Sequence, residues 1–270
     1  MYITNNPDIA LIAEKYGVDR IWVDLETLGK EERQKGLDAV KSKHSVADVR
    51  KIKPLLTTSE MLVRVNPWNN SSVDEINEVI DAGADIIMLP YWKTPGEVKN
   101  FIDTVNGRCK TTLLLETKEA VECIDEVLMA GGFDEIHIGL NDLHLSYGMT
   151  FMFELLSDGT VEMLCNKFRK AGIPYGFGGI AKLGEGMILA EKIVIEHYRL
   201  GSTRAILSRS FCNVDNNQSI DEINRLFCDE MYKLRSFEKV ASSLSDKEQI
   251  ENHNEVKLLV EQIVEKIGAK

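Results

Sequence analysis

The sequence predicts an α/β fold, a (β/α)8 TIM barrel with a C-terminal helical extension. Eight short apolar runs alternate with segments of helical periodicity between residues 2 and 208. Several of these runs are almost continuously apolar, as strands buried on both faces of a parallel sheet must be. The chain length of 270 residues suits one such barrel. A doubly wound open sheet is the alternative fold.

The apolar runs predict strands at residues 2–5, 21–26, 60–66, 86–91, 111–116, 135–140, 173–178 and 203–208. The helical patterns predict helices at residues 7–16, 46–54, 73–82, 95–105, 118–129, 159–171 and 182–197. Each of the seven gaps between strands thus holds one helical segment, which is the rhythm of βα units.

Beyond about residue 215 the pattern changes to two consecutive helices. Ser219 and Glu222 form a capping box before a helix that runs to about residue 241, and a second helix covers roughly 247–267. We therefore divide the chain into a catalytic barrel domain, 1–241, and a helical extension, 242–270. The second helix carries an apolar stripe that its own barrel or a neighbouring subunit must cover, and a homo-oligomer is one expectation. The stripe consists of Val256, Leu259, Val260, Ile263, Val264 and Ile267.

Composition excludes several classes of partner. The chain has 32 basic and 43 acidic residues, a net charge of −11, and no continuous basic face, so nucleic acid is not expected to bind. Its five cysteines are widely spaced without a CxxC pair, which favours free, mostly buried thiols in a reducing compartment. The sequence shows neither a signal peptide nor an apolar run of about 18 residues. We expect a cytoplasmic protein that does not bind membranes.

The chemistry of a parallel barrel lies at the C-terminal ends of its strands, where this chain places two carboxylates. Glu116 ends the fifth strand and Asp142 follows the sixth. Adjacent strands lie about 4.8 Å apart, so both carboxylates can reach one Mg²⁺ at about 2.1 Å. Because neither His nor Cys joins them, a hard cation such as Mg²⁺ is expected rather than zinc. For Glu116 alone, interaction with a helix dipole is the alternative.

Arg64 interrupts the apolar run LVRV, which indicates that its side chain points into the barrel mouth. A guanidinium there can bind a substrate carboxylate or an enolate oxygen through two hydrogen bonds. The alternative is an internal salt bridge to an Asp or Glu of the barrel.

Other strand ends supply further candidates. Asp24 and Glu26 follow the second strand, and small residues end strands seven and eight, where a ligand can approach the backbone: Gly178, Gly179 and Ser208. The glycine-rich segment 176–186 is either a phosphate-binding loop or a plain turn.

Five segments in order, IWVDLET, LVRVNPW, AGADIIMLPYWKTPGEV, LLLETKEAVECIDEVL and IHIGLNDLHLSYG, resemble the HpcH/HpaI 2-oxo-acid aldolase and citrate lyase β-chain superfamily. The resemblance implies a metal-dependent carbon–carbon lyase that acts on a small 2-oxo acid or related carboxylate through an enolate. It implies that Glu116 and Asp142 bind Mg²⁺ or Mn²⁺ and that Arg64 contacts the enolate oxygen. Backbone N–H groups of Leu140, Asn141 and their neighbours would bind the substrate carboxylate.

The chain departs from the family pattern after the second strand, and it also lacks the Arg-Gly block that aldolases of the family carry before strand 5. Aldolases of the family usually read Asp-x-Glu-His after the second strand, whereas Thr27 follows Asp24 and Glu26 here. Thr27 cannot exchange a proton at neutral pH, so Asp24 and Glu26 are the catalytic residues that remain. His44 in the following loop is either a replacement base or simply solvated. The alternative functions are an enzyme of the same barrel for a phosphorylated enolpyruvate-type substrate, and a barrel that has lost catalysis and serves in binding or assembly.

Overall fold

Eight strands form one sheet in the order in which they occur along the chain, from β1 to β8. The computed structural model describes residues 1–29, 44–208, 211 and 218–269. The strands are β1 (Tyr2–Ile3), β2 (Arg20–Asp24), β3 (Glu60–Arg64), β4 (Ile86–Leu89), β5 (Lys110–Leu115), β6 (Glu135–Ile138), β7 (Tyr175–Ile180) and β8 (Arg204–Leu207). Sequential strand order with intervening helices is that of the (β/α)8 TIM-barrel class, which confirms the predicted fold and each of the eight predicted strands.

Twelve α-helices lie within the described residues. They are α1 (Pro7–Lys15), α2 (Val46–Ile52), α3 (Ser72–Asp81), α4 (Pro95–Val105), α5 (Lys118–Glu122), α6 (Ile124–Ala130), α7 (Leu140–Ser146), α8 (Glu154–Ser157), α9 (Thr160–Ala171), α10 (Ala190–Leu200), α11 (Ile220–Ser243) and α12 (Asp246–Gly268). No helix in these parts of the chain combines the length and the apolar character that crossing a bilayer requires.

Two predicted helices differ from those observed. The helix predicted at 182–197 begins only at Ala190, because Gly184 and Gly186 before it adopt φ values of +81° and +103° that a right-handed helix excludes. The helix predicted at 118–129 is divided at Cys123 into α5 and α6. Helices α7 and α8 were not predicted, since short helices after a strand lack a full amphipathic period.

The chain forms two compact units, residues 1–136 and 137–270. In the first unit, β2 to β5 pair in parallel and every residue of β2 is buried. At the N-terminal ends of the strands, the Arg20 guanidinium donates hydrogen bonds to Glu60 (Nε to Oε2, 3.1 Å) and to Glu135 through Nη1 and Nη2. Burial alone would lower the pKa of Arg20, but Glu135 and Glu60 raise it, so the guanidinium stays charged. An ion-pair cluster at this end of a barrel stabilises the fold.

In the second unit, helix α12 packs against α10 and α8 of its own chain. Its residues Val256, Val260 and Ile263 are buried, while Ile267 remains exposed. The stripe predicted from the sequence is therefore covered largely by its own chain, the first of the two alternatives. The formation of a homo-oligomer stays a prediction, as does the division into domains 1–241 and 242–270.

A buried carboxylate fixes this packing. Glu196 on α10 is fully buried and accepts hydrogen bonds from Asn252 Nδ2 (3.2 Å) and from His253 Nδ1 (3.0 Å) on α12. Arg199 contacts the same carboxylate, with Nε at 3.0 Å from Oε2. Burial raises the pKa of Glu196, but His253 and Arg199 outweigh it and the net pKa is lowered. Glu196 thus joins α12 to α10 as an anion.

The four described cysteines are free thiols, as expected. Only Cys165 is buried; Cys109 and Cys123 are half-buried and Cys228 is exposed. The prediction that the thiols are mostly buried is therefore wrong for the described cysteines, and Cys212 lies outside the described residues.

Candidate active site

Arg64 forms the centre of a charged cluster in the first unit. It ends β3, directly opposite Asp24 in the register of the two strands. Its Nε and Nη2 each lie 2.8 Å from an oxygen of Asp24, and Nη2 also lies 3.2 Å from Glu26 Oε2. The guanidinium carbon stands 5.1 Å from the centre of the Trp22 ring. Among the described residues Nη1 has no hydrogen-bond partner, so one edge of the fork is not used by these carboxylates.

The electrostatics of the cluster keep Arg64 charged. Asp24 and Glu26 are each 3% exposed, so their carboxylates are removed from bulk water. Burial alone would lower the pKa of Arg64, but the attraction of Asp24 and Glu26, with a smaller share from Glu116, raises it far above its ordinary value. The internal salt bridge that the sequence left open for Arg64 is thus present.

Glu116 lies at the end of β5 with its side chain 2% exposed. Its Oε1 accepts a hydrogen bond of 3.0 Å from the backbone N–H of Tyr91. Tyr91 follows β4 and has a φ of +50°, a left-handed conformation that costs a non-glycine residue about 1–2 kcal/mol. Backbone strain of this kind collects at functional sites, where the surroundings enforce it. No sequence pattern predicts it, since tyrosine is not a residue that favours positive φ.

Thr27, which follows Asp24 and Glu26 along the chain, is held by Asn66. The Oδ1 atom of Asn66 accepts hydrogen bonds from the backbone N–H groups of Thr27 (2.9 Å) and Leu28 (3.0 Å). Its Nδ2 donates in turn to Glu75 Oε1 at 2.7 Å. Burial raises the pKa of Glu75, and the bonds from Asn66 oppose that rise. The Asn66–Glu75 pair therefore fixes the backbone just after Asp24 and Glu26, a role that the sequence analysis missed.

His44 lies at the same strand end. Its Nδ1 accepts a hydrogen bond of 2.9 Å from the backbone N–H of Asp24. A nitrogen that accepts a hydrogen bond from an amide carries no proton, so the proton of the neutral ring is on Nε2. In this arrangement Nε2 is a donor, and it cannot act as the replacement base that the sequence left open.

In the second unit, the predicted substrate-binding residues lie at the ends of β6, β7 and β8. Gly178 has a φ of +50°, which strains any other residue, and a Cβ on it would stand 2.7 Å from Leu140 Cδ1, so that Leu140 would have to move. A Cβ on Gly179 would stand 3.8 Å from the Cβ of Ser208. The structure thus brings Leu140, Gly178, Gly179 and Ser208 together. Asn141 is exposed in the first turn of α7.

The predicted metal ligands belong to different units, Glu116 to the first and Asp142 to the second. Asp142 lies in the first turn of α7 and its Oδ1 is buried. Mg²⁺ and Mn²⁺ prefer carboxylate oxygens as ligands, and each of these two side chains supplies such oxygens. Within the described ranges, no group of three or more His, Cys, Asp or Glu side chains is arranged to hold a metal ion.

A cavity of about 740 Å³ lies at the opposite, N-terminal ends of β3 to β5. Four of its charged side chains form two ion pairs: Lys53 Nζ lies 2.6 Å from Asp85 Oδ2, and Lys110 Nζ lies 2.5 Å from Glu60 Oε1. This cavity is walled by ion pairs of the scaffold and is separate from the candidate active site.

Comparison with known proteins supports the resemblance noted in the sequence. Residues 1–155 match the sequence model of the HpcH/HpaI aldolase/citrate lyase family. A hydroxypyruvate/pyruvate aldolase of Sagittula stellata is 25% identical over 170 residues, 52% of this chain and 61% of that protein. A second protein of that name, from Rhizorhabdus wittichii, is 26% identical over 182 residues, 53% of this chain and 72% of that protein. The chain thus spans less than two thirds of the length of the first of these relatives.

A solved structure shows the same fold. The HpcH/HpaI aldolase from Desulfitobacterium hafniense DCB-2 superimposes with a TM-score of 0.58 at 16% identity. The superposition covers 90% of this chain and 92% of the other.

Proposed function

Because the chain belongs to the HpcH/HpaI aldolase/citrate lyase family, we propose that it is a carbon–carbon lyase that acts on a small 2-oxo acid or related carboxylate. The observation that carries the proposal is the Arg64 fork, buried with Asp24 and Glu26 at the C-terminal ends of β2 and β3. That end of the strands is where barrels of this class perform their chemistry. A carbon–carbon bond next to a carbonyl breaks through an enolate, whose negative oxygen needs positive partners.

We assign the Nη1 edge of Arg64 to that oxygen. Nε and Nη2 are occupied by Asp24 and Glu26, and these bonds hold the guanidinium plane in one orientation. A donor fixed before the substrate binds stabilises developing charge without reorganising. Asp24 and Glu26 would therefore act as positioning residues for Arg64.

We further propose that Glu116 and Asp142 hold a divalent cation, Mg²⁺ or Mn²⁺. When bound, the cation would act as a Lewis acid that stabilises negative charge on a substrate oxygen. Glu116 is suited to this role because the Tyr91 N–H fixes one of its oxygens. Leu140, Asn141, Gly178, Gly179 and Ser208 supply backbone and small side chains at their strand ends, where we place the substrate carboxylate.

The test is proton exchange at the methyl group of pyruvate in D₂O, followed by ¹H NMR with Mg²⁺ or Mn²⁺. Pyruvate and hydroxypyruvate are the first probes because the curated relatives are named hydroxypyruvate/pyruvate aldolases. We expect metal-dependent exchange by the wild-type chain, at a rate at least tenfold lower in Arg64→Lys, which keeps the charge but not the fork.

The same experiment separates the alternatives. Metal binding without exchange of any 2-oxo acid would indicate a barrel that binds but does not turn over. Exchange that requires a phosphorylated substrate would favour the enolpyruvate-type reaction. Exchange by Arg64→Lys at the wild-type rate would remove Arg64 from the mechanism.

A further inference from the structure

Trp22 lies between two ion pairs on one face of the paired strands β2 and β3. Alternate residues of a strand share a face of the sheet. Three register pairs follow one another on this face: Arg20 with Glu60, Trp22 with Leu62, and Asp24 with Arg64. The first and third pairs are salt bridges, whereas the pair between them is apolar and buried. Trp22 and Leu62 therefore separate the ion cluster of the scaffold at one end of the strands from the Arg64 cluster at the other.

The indole of Trp22 also contacts the guanidinium of Arg64. The Arg64 Cζ lies over the ring, 5.1 Å from its centre, within the range of a cation–π interaction. Trp22 is 2% exposed, and such an interaction is strongest where water is excluded. Asp24 and Glu26 bind Nε and Nη2 of the same guanidinium. Arg64 is thus held by carboxylates at two of its nitrogens and by an aromatic face at its central carbon.

The chemistry of the indole indicates why tryptophan suits this place better than another apolar residue. Within the described parts of the chain, its Nε1 has no hydrogen-bond partner, so the N–H group does not account for its presence. A phenylalanine or leucine would fill a buried position without a polar atom. Among aromatic rings, however, the indole attracts a cation most strongly. The property that Trp22 contributes is therefore its π face, which lies against Arg64.

We propose that Trp22 is a positioning residue of the active site, whose indole holds Arg64 at the C-terminal ends of the strands for contact with the enolate oxygen. The proposal rests on the function proposed above and deepens it. Glu60 lies on the same face of β3 as Arg64, four residues away, and without the indole the guanidinium would be free to turn towards that carboxylate. A guanidinium fixed before the substrate binds stabilises developing charge without reorganising.

The first experiment observes Arg64 directly and requires no activity. Protein labelled with ¹⁵N-arginine is examined by ¹H–¹⁵N correlation, and the Nε–H signal of Arg64 is assigned by its loss in Arg64→Lys. Because the face of an aromatic ring shields the nuclei above it, we expect this proton to move downfield in Trp22→Leu and in Trp22→Met, neither of which has a ring. An Arg64 signal that stays in place in both variants overturns the proposal.

The second experiment weakens the π face with little change in its shape. Tryptophans of rising fluorine content are incorporated at position 22, since fluorine withdraws electron density from the face of the ring. We expect the kcat of pyruvate proton exchange to fall stepwise, by at least about threefold over the series, with little change in KM. The same series at Trp92, a second buried indole whose Nε1 lacks a described partner, is the matched control and should leave kcat unchanged.

Two outcomes of the second experiment contradict the proposal. A constant kcat along the Trp22 series would show that the ring only fills space. An equal fall in the Trp92 series would show that the effect does not depend on Arg64. If the unmodified chain catalyses no exchange, the lyase proposal fails, and the Arg64 signal alone then decides whether Trp22 positions the guanidinium.

Discussion

Asp24 and Arg64 are register partners on adjacent parallel strands, and their side chains form a two-point ion pair with both N–O distances at 2.8 Å. The pair is buried, and Glu26 shares the guanidinium. Its geometry is set by the sheet, because the register places both Cα atoms at the same height. A guanidinium held by two hydrogen bonds to one carboxylate has a fixed orientation.

Removal of Arg64 should cost substantial stability. Arg64→Met leaves two buried carboxylates without their guanidinium, and we expect the free energy of unfolding to fall by about 3–5 kcal/mol. Urea denaturation measures the loss. Arg50→Met is the matched control, since Arg50 pairs with Glu78 on the surface and should cost no more than about 1 kcal/mol. Equal losses in the two variants would show that the cluster does not hold the strand ends.

Metal binding should depend on the two predicted carboxylates. We expect MgCl₂ or MnCl₂ to raise the melting temperature of the EDTA-treated wild-type chain, and Glu116→Gln and Asp142→Asn each to abolish that rise. An amide oxygen carries no net charge and binds a hard cation far more weakly than a carboxylate does. Glu122→Gln, on the exposed face of α5, is the control that should keep the full rise. A rise retained in Glu116→Gln contradicts the assignment.

The backbone strain at Tyr91 should make the stability of the protein depend on which residue replaces this tyrosine. Among described residues other than glycine, Tyr91 and Asn106 have positive φ, so the chain itself uses asparagine in this conformation. A β-branched residue fits it poorly, and we expect Tyr91→Val to be less stable than Tyr91→Asn by about 1–2 kcal/mol. Unfolding free energies from urea denaturation test this difference. Equal stabilities would mean that the backbone relaxes there, and Glu116 would then lose its fixed partner.

The packing of α12 on α10 should contribute to stability mainly through Glu196, and far less through the surface ion pair between Lys192 and Glu255. Glu196→Gln removes a buried charge that Arg199 and His253 need, and we expect a loss of about 3 kcal/mol. Glu255→Gln, which breaks the exposed ion pair to Lys192 between the same two helices, should cost no more than about 1 kcal/mol. Thermal or urea unfolding compares the two.

The pH dependence of this contribution has a definite sign. Because the pKa of Glu196 is lowered on folding, its stabilisation is complete above the ordinary value of 4.5 and is lost as the pH falls below it. The wild-type chain should therefore lose stability more steeply than Glu196→Gln below pH 4.5. Parallel curves would contradict the role of Glu196 as an anion.

His197 should make the protein sensitive to mild acid. It is stacked on Phe177 with ring centres 3.8 Å apart, and burial, with a contribution from His137, lowers the pKa of His197 to about 3. The unfolded chain takes up this proton near pH 6.5 and the folded chain does not. Stability should therefore fall by about 1.4 kcal/mol per pH unit below pH 6.5. His197→Gln should reduce that slope between pH 6.5 and 5, and an unchanged slope in urea denaturation would exclude His197 as the cause.

The fold was predictable because its signals are local and repeated. Eight apolar runs and the helical periods between them determine the strands, and all eight are present. The boundaries failed where glycines act through backbone conformation, as at Gly184 and Gly186 before α10. Five strands (β1, β2, β3, β4 and β6) also end two residues earlier than predicted, because the last residues of each predicted run already belong to the following loop or helix, as Leu140 belongs to α7.

The site was predictable only in its residue types. Arg64, Asp24 and Glu26 could be named from their positions after apolar runs, and a salt bridge of Arg64 to some Asp or Glu was one alternative. Its partners could not be named, since neither strand alone determines the register of β2 and β3. His44 contacts Asp24, 20 positions away, and Asn66 contacts Thr27, 39 positions away. A local sequence pattern cannot predict contacts between residues so far apart. The strain at Tyr91 likewise arises from its surroundings.

The two ends of the β2–β3 pair carry ion pairs of opposite polarity. Arg20 on β2 faces Glu60 on β3 at one end, whereas at the other end the acid, Asp24, is on β2 and the base, Arg64, is on β3. A displaced alignment of the strands would separate both pairs at once, so together they select one register during folding. Natural selection for correct folding would therefore retain Asp24 and Arg64 even in a descendant that had lost its activity. Retention of this pair in a homologue is therefore evidence of a shared architecture and does not by itself show that the reaction was inherited.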